Sequence, residues 1–335
     1  MAINKMGMSM KTKILSLLRN TTEYISGQEL CEKLGVSRTA IWKVINQLKE
    51  EGYVIEAIQN KGYKIQEYPD ILTKSEIASR LNTEWAGREL YYYAEIDSTN
   101  IEAKKKAEEG ASHGTLIVAD KQTAGRGRRG RSWEAPAGSN IYMTIMLKPD
   151  FEPNKASMLT IVMALAAAKA IQEVSTRTCA IKWPNDIVVN GRKICGILTE
   201  MSAELDYIQH VVIGIGINVN QKIIPEELAS NATSLYLEGG EKLIRAHLIE
   251  RSMYYFEHYY DIFVKTKDLS GLAEEYDSFL INRGKAVRVL DPKGEFEGIA
   301  SGINELGELR VTKDDGTEVL VYAGEVSVRG LYGYV

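Results

Sequence analysis

The chain has 335 residues, 44% of them hydrophobic and 26% charged, and its formal net charge is −4. That length suits two or three domains, and the composition is that of a soluble globular protein. We recognise neither an apolar run of bilayer length nor a secretory signal pattern. The sequence therefore predicts a cytoplasmic protein without a membrane span.

The number and spacing of the cysteines and histidines indicate whether the chain forms disulfides or binds a structural metal. The three cysteines, Cys31, Cys179 and Cys195, form no CxxC pair, which favours free thiols in a reducing cytosol. The four histidines are scattered without paired-ligand spacing, so no protein-ligated structural metal is expected. Met10 resembles a natural start, and residues 1–9 are expected to be an extension with little structure.

Charge is divided unevenly along the chain. Residues 1–66 carry ten Lys/Arg and six Asp/Glu, a net of +4. Residues 67–335 carry 31 and 39, a net of −8. An excess of positive charge in one segment of an acidic protein indicates a polyanionic partner.

Residues 1–66 are predicted to form a winged helix-turn-helix domain. The three helices are "MKTKILSLLRN", "SGQELCEKLG" and "SRTAIWKVINQLKEEG", and Ser26 and Ser37 cap the second and third. The Gly-Val-Ser connection between the last two is as short as helix-turn-helix geometry requires. "YVIEAIQNKGYKI" then forms a hairpin wing with Asn60-Lys61-Gly62 at its turn.

In such a domain, the start of the third helix enters the major groove of DNA and the wing lies near phosphates. The candidate DNA-binding residues are Ser37, Arg38, Thr39, Trp42 and Lys43 on the helix, and Lys61 and Lys64 on the wing. A winged helix used only for protein contacts is the alternative. The local positive charge favours DNA.

Residues 67–76, "EYPDILTKSE", are predicted to be a linker because Pro69 interrupts the pattern there. Strands and helices alternate through residues 77–283, including a long apolar helix near 155–174 and helices over about 240–282. Asn190-Gly191 is a strong two-residue hairpin signal. Neighbouring strands joined by tight turns predict a largely antiparallel sheet, so this central domain is α+β.

Residues 284–335 alternate short apolar and polar runs, which are broken by Asp291-Pro292, Gly307 and Asp315-Gly316. This pattern predicts a small all-β barrel. The expected fold class is therefore an α+β multidomain protein: a winged helix, a mixed or antiparallel α/β central domain and a terminal β-barrel.

The stretch "AGRGRRGRSW", residues 124–133, holds three glycines in a G-x-G-x-x-G frame and the densest positive charge of the chain. A dinucleotide fingerprint needs a helix after the glycines, but Pro136 and Gly138 stand where that helix would run. Kinase and P-loop motifs do not occur in the sequence. Glycines allow close backbone approach and arginines donate charged hydrogen bonds, so the loop is predicted to close over a small anionic group such as a phosphate. A merely solvated surface loop is the alternative.

Five separated stretches occur in one order: "DSTN" (97–100), "QTAGRGRRGRSW" (122–133), "KWPND" (182–186), "KICGIL" (193–198) and "GIGINVN" (214–220). Each is weak by itself, but the ordered set resembles the biotin protein ligases. The leading winged helix resembles the bifunctional bacterial form, the biotin operon repressor. The resemblance covers essentially the whole chain and implies a central domain similar to class II synthetases and an SH3-like terminal barrel.

In that family the carboxylate of biotin attacks the α-phosphorus of ATP, giving biotinyl-5′-AMP and pyrophosphate, and an acceptor lysine then displaces AMP. The resemblance implies biotin, ATP and Mg²⁺ as substrates and cofactor. It implies three partners: a biotin carboxyl carrier domain of acetyl-CoA carboxylase or pyruvate carboxylase, operator DNA, and a second copy of the chain when ligand is bound. Two alternatives stay open, a ligand-sensing regulator without ligase activity and a ligase for lipoate.

The resemblance also implies roles for single residues. Lys193, Arg126 and Arg128 would be the catalytic cations. The biotin pocket would consist of Ser98, Thr99, Asn100, Gln122, Arg126, Gly127, Arg128, Lys193 and Gly196. Adenylate binding would fall to Trp133, Asn218, Glu325 and Arg329, and Asp186 would support Lys193 or a metal ion.

Overall fold

The computed structural model describes residues 8–204, 206–291, 294–323, 327–330 and 334–335. The chain divides into two compact units. The first comprises Met1–Asn82 with Ile244–Glu250, and the second comprises Thr83–Leu243 with Arg251–Val335.

The first unit has the predicted winged helix-turn-helix architecture. Its elements are α1 (Met10–Arg19), α2 (Gly27–Leu34), α3 (Arg38–Glu50), β1 (Val54–Ile58), β2 (Gly62–Glu67) and α4 (Lys74–Arg80). Ser26 and Ser37 cap α2 and α3 as expected, because each hydroxyl accepts a backbone N–H three residues on. The predicted stripe of α3 is buried in the core of the unit: Ile41, Val44, Ile45 and Leu48.

The wing depends on a glycine at its turn. β1 and β2 pair antiparallel, with Ile58 opposite Gly62. Gly62 has a φ of 117°, and a Cβ there would lie 2.0 Å from the carbonyl oxygen of Ile25. Both the backbone conformation and the close approach therefore require glycine.

The predicted linker, residues 67–76, ends inside an ordered helix, because α4 begins at Lys74. Glu76 is fully buried and accepts hydrogen bonds from Tyr53, Arg19 and Arg80. A buried carboxylate needs such partners. They fasten α4 to the winged helix, and the first unit extends to Asn82.

A seven-stranded sheet forms the centre of the second unit, with strand order β3-β4-β5-β9-β8-β7-β6. Its strands are β3 (Leu90–Tyr93), β4 (Thr115–Ala119), β5 (Ile141–Leu147), β6 (Ala180–Lys182), β7 (Asp186–Val189), β8 (Arg192–Ala203) and β9 (Ile208–Ile217). Every neighbouring pair is antiparallel except β3 and β4. This confirms the predicted α+β class. The predicted hairpin turn also forms, with φ of 49° at Asn190 and 76° at Gly191.

The described residues of the second unit also form α5 (Thr99–Glu108), α6 (Leu159–Ser175), α7 (Leu235–Gly239), α9 (Ala273–Phe279) and the part of α8 (Arg245–Thr266) that begins at Arg251. Together with a preceding 3₁₀ turn, α6 forms a 23-residue segment, Pro153–Ser175, that is long and apolar enough to span a membrane by length and composition. The expectation that no such segment exists was wrong. The fold buries 67% of its apolar window, as in the core helix of a soluble protein.

The last part of the second unit is a small antiparallel sheet with strand order β13-β12-β11-β10-β14. Its strands are β10 (Ala286–Leu290), β11 (Phe296–Ile303), β12 (Leu309–Thr312), β13 (Glu318–Val321) and β14 (Ser327–Gly330). The described strands between Ala286 and Gly330 therefore form a small β domain, as the alternating pattern predicted.

Candidate active site

A pocket lies against β8, β9 and the start of α5. We call it the central pocket. Ten of the predicted site residues line it: Ser98, Thr99, Asn100, Gln122, Arg126, Gly127, Arg128, Trp133, Lys193 and Gly196. It is also lined by Lys104, Asn185, Glu200, Gly214 and Gly216, among others.

The first turn of α5 forms a polar wall of the central pocket. Ser98 stands at the N-cap position, but its hydroxyl caps no backbone N–H, so this serine is not an ordinary helix cap. The backbone N–H and hydroxyl of Thr99 both donate to Oε1 of Gln122, at 2.8 and 3.0 Å. Asn100 donates to Glu200 over 2.7 Å, and its Oδ1 lies 2.7 Å from the Thr144 hydroxyl. These contacts fix the orientation of the Thr99 and Asn100 side chains.

Glycines on β8 and β9 make room for the neighbouring side chains. Gly196 and Gly216 lie opposite each other, and a Cβ on Gly216 would come within 2.7 Å of the Trp133 indole. The indole Nε1 is buried and has no hydrogen-bond partner among the described residues. On the same strand a Cβ at Gly214 would lie 2.2 Å from Oδ1 of Asn100. The glycines of "GIGINV" therefore bring larger side chains onto the sheet surface.

The arginine-glycine loop folds back on itself beside the central pocket. Gly127 N–H donates to the carbonyl of Arg131 at 2.7 Å, and Trp133 N–H donates to that of Gly125 at 3.0 Å. Arg128 donates to Oδ1 of Asn185 and to the carbonyl of Ala323, at 2.8 and 2.7 Å. Burial lowers the pKa of its guanidinium, and the charge of Asp186 opposes that effect.

Lys193 and Asp186 form an ion pair, with 2.6 Å between Nζ and Oδ1. The same carboxylate accepts from Asn185 Nδ2 at 3.1 Å, and its other oxygen accepts from the Tyr334 hydroxyl. Both oxygens of Asp186 are thus engaged. Of the two roles considered for Asp186, support of Lys193 is the one this geometry favours.

Comparisons with known proteins show the family of the chain. Residues 92–218 match the Biotin/lipoate A/B protein ligase family, residues 11–64 an HTH domain, and residues 284–329 the Biotin protein ligase C terminal domain. The chain is 41% identical over 308 residues to the bifunctional ligase/repressor BirA of Bacillus subtilis, covering 91% of this chain and 94% of that protein. It belongs to the biotin protein ligases.

Two further relatives support this assignment. The bifunctional ligase/repressor BirA of Escherichia coli is 32% identical over 323 residues, which cover 95% of this chain and 96% of that protein. The structure of the biotin protein ligase from Aquifex aeolicus in complex with biotin and ATP superposes with a TM-score of 0.63 at 31% identity. It covers 72% of this chain and 99% of the Aquifex chain.

Two residues predicted to bind the adenylate, Asn218 and Arg329, are not among the described residues that line the central pocket of this ligase. Asn218 is buried and donates its side-chain amide to the carbonyl of Thr233 at 3.0 Å. Arg329 lies on β14 with an exposed side chain. Glu325 lies outside the described residues.

Lys182 is a charged residue that the sequence analysis quoted within "KWPND" without assigning it a role. It is 6% exposed, lies across the β6–β7 pair from Asp186, and places Nζ 3.5 Å from the ring centroid of Tyr334. Burial, helped by the nearby cation Lys193 and opposed by the charge of Asp186, lowers the pKa of its ammonium to about 8. The sequence shows only that Lys182 stands shortly before Asp186. The pairing of β6 with β7 is what brings the two residues opposite each other.

Glu200 is a second residue that sequence reasoning missed. Burial alone would raise the pKa of its carboxyl, but hydrogen bonds from Lys104 and Asn100 outweigh burial and hold that pKa below its ordinary value. The ionised Glu200 fixes the amide of Asn100 and places a negative charge opposite Arg126.

The DNA-binding residues that were predicted at the start of α3 share one exposed surface. Ser37, Arg38, Thr39, Trp42 and Lys43 are all exposed, and Trp42 is 59% exposed. On the wing, the ammonium groups of Lys61 and Lys64 lie 5.9 and 5.8 Å from the ring of Tyr24. We call the five helix residues the recognition surface.

Proposed function

We propose that this chain activates biotin with ATP to biotinyl-5′-AMP, transfers biotin to a lysine of a biotin carboxyl carrier domain, and represses transcription of a biotin operon. The observation that carries the enzymatic part is the convergence of Arg126, Arg128 and Lys193 on the pocket walled by Ser98–Asn100. The structure of the related Aquifex ligase is a complex with biotin and ATP. The HTH domain carries the repressor part.

In the first step a carboxylate oxygen of biotin attacks the α-phosphorus of ATP, and the bond from that phosphorus to the bridging oxygen breaks. Pyrophosphate leaves, and no proton is transferred. Two anions must approach each other, so fixed positive charge lowers the barrier. Lys193 and Arg128 are held in place before substrate arrives, by Asp186 and by Asn185, respectively. The hydroxyl and amide groups of Ser98 and Asn100 are suited to hydrogen-bond the ureido ring of biotin.

In the second step the neutral amine of the acceptor lysine attacks the acyl carbon, and the bond to the phosphate oxygen breaks. AMP leaves, and the amine loses one proton to solvent. A protein nucleophile is not required. Burial raises the pKa of the thiol of Cys195 on β8, so this residue stays protonated and does not serve as a nucleophile.

We expect Mg²⁺ to bind together with ATP. The described residues contain no group of three metal-binding side chains, and both oxygens of Asp186 are engaged. Mg²⁺ commonly binds substrate phosphates with only one or two carboxylates. When bound, the ion would neutralise phosphate charge, and the protein's own contribution stays with Lys193 and the loop arginines.

Biotin-dependent ATP–pyrophosphate exchange tests the enzyme. We expect exchange that requires biotin and falls by about 10²–10³-fold in Lys193→Ala and in Arg128→Ala, which is the cost of removing a charge-stabilising donor. Lys285→Ala, at an exposed lysine of the small β domain, is the matched control and should retain full activity. Exchange with lipoate instead of biotin would show that lipoate is the substrate. Absence of exchange with both acids would contradict the ligase activity and favour a ligand-sensing regulator.

The repressor part requires coupling between the two units. We propose that bound biotinyl-AMP favours a homodimer, which presents two recognition surfaces to a two-fold symmetric operator. Ligand must then bind the dimer-competent state more tightly than the monomer. A gel shift on the upstream DNA of the corresponding operon, with and without biotin and ATP, measures this coupling. Equal affinity in both conditions would contradict it.

A further inference from the structure

A line of hydrogen bonds connects the two best-held cations of the central pocket. Arg128 donates to Oδ1 of Asn185, at 2.8 Å, and Asn185 Nδ2 donates to Asp186 at 3.1 Å. Asp186 then pairs with Lys193 over 2.6 Å. We call these four residues the cation chain. A shift at any member changes the position of a charge that faces the substrates.

Two members of the cation chain, Arg128 and Asp186, are hydrogen-bonded to the small β domain. The carbonyl of Ala323, two residues after β13, accepts from Arg128 at 2.7 Å. The hydroxyl of Tyr334, beyond β14, donates to the carboxylate oxygen of Asp186 that does not hold Lys193. The small β domain therefore contributes one backbone group and one side chain to the placement of the catalytic cations.

We propose that Tyr334 is a positioning residue for the adenylation step: its hydroxyl orients Asp186 and, through Asp186, the ammonium of Lys193. A carboxylate that is hydrogen-bonded on one oxygen alone rotates about its Cβ–Cγ bond, which moves the ion-pair partner. With both oxygens bonded, one orientation is favoured. This inference rests on the proposed ligase function and adds to it a role for the small β domain.

Two features support a permanent donor at Tyr334. Its side chain is largely buried, and burial together with the adjacent charge of Asp186 raises the pKa of the phenol far above the physiological range. The hydroxyl therefore keeps its proton and donates to Asp186 at any working pH. The ring of Tyr334 also contacts the ammonium of Lys182, which holds the phenol in place.

Tyr334→Phe is the variant that tests the proposal, because it removes the hydroxyl and keeps the ring against Lys182. We expect kcat for biotin-dependent pyrophosphate exchange to fall about 10-fold, at the lower end of the cost of losing a group that orients a functional side chain. The dissociation constant for biotin, measured by calorimetry on the same preparation, should stay within about twofold, since the change acts on the reaction step. The matched control is Tyr322→Phe, at a tyrosine of the same domain that is 55% exposed.

A double-variant cycle separates positioning from general stability. In an Asp186→Asn background the hydroxyl has lost the ionised group it orients, so Tyr334→Phe should cost no further activity. An equal loss in both backgrounds would assign Tyr334 a merely structural role and overturn the proposal, as would wild-type activity in Tyr334→Phe. If the unaltered protein shows no exchange, the ligase proposal fails, and that result is distinct from the failure of this one.

Discussion

The central pocket and the recognition surface both use cations, but the structure holds those cations in opposite ways. In the pocket, Lys193 is paired with Asp186, and Arg128 is held by Asn185 and a backbone carbonyl. On α3, Lys43 and Trp42 project into solvent. Arg38 contacts Gln28 at 2.9 Å, and this contact is also exposed.

The difference follows from what each region binds. A reaction site lowers a barrier only if its charges already stand where negative charge will develop, so the fold fixes them in advance. A DNA-reading surface gains its affinity from phosphates and base edges that arrive with the partner, and long exposed side chains adapt to them. Small changes in packing should therefore damage the pocket far more than the recognition surface.

The largest expected effect is that of one methyl group in the pocket. In Gly214→Ala the new Cβ would lie only 2.2 Å from Oδ1 of Asn100. Asn100 cannot easily move away, because it is hydrogen-bonded to Thr144 and Glu200. We expect kcat/KM for biotin to fall about 100-fold, because misplacement of about 1 Å in a site costs that much. The matched control is Gly27→Ala at the start of α2, where the nearest atom to a new Cβ is 3.7 Å away. Equally small changes of kcat/KM in both variants would contradict the expected sensitivity of the pocket to small changes in packing.

A smaller effect is expected from the buried ammonium beside the cation chain. The pKa of Lys182 is lowered from 10.5 to about 8, so between these pH values the unfolded chain binds more protons than the folded one. Stability then rises with pH across that window, and the cost of charging Lys182 is fully present below pH 8.

Lys182→Met should accordingly raise the free energy of unfolding at pH 7 by up to roughly 3 kcal/mol. Denaturant unfolding at pH 7 and at pH 10 measures this difference, which should shrink at the higher pH. Lys285→Met, at an exposed position, should change neither value. A gain from Lys182→Met that is the same at both pH values would show that packing, not charge, is responsible.

The smallest structural effect is expected at the predicted DNA-binding residues of α3 and of the wing. Arg38→Ala should weaken binding to operator DNA by about 1–3 kcal/mol if it contacts a base. Lys61→Ala on the wing should reduce the slope of log affinity against log salt by about 1 if it contacts a phosphate. Neither variant should alter pyrophosphate exchange. A change in exchange would show that the two regions are energetically coupled without DNA.

Local patterns predicted most of the elements. The serine caps and the Asn190-Gly191 turn each act through contacts within a few residues, and the structure has all of them. The stripe of α3 was also predictable, because helical periodicity is a property of consecutive residues. The boundary of the first unit was not, since α4 is fastened by Glu76 to residues more than 20 positions away.

The sequence by itself determined the family, through five ordered motifs, and it named ten residues that line one pocket. Only the tertiary structure decided how the cations there are held. Lys182, Asp186 and Tyr334 meet because β6 pairs with β7 and a segment beyond β14 reaches their sheet. Interactions between residues 148 positions apart leave no periodic trace in a sequence, because they are set by strand pairing and packing instead of by local backbone preference.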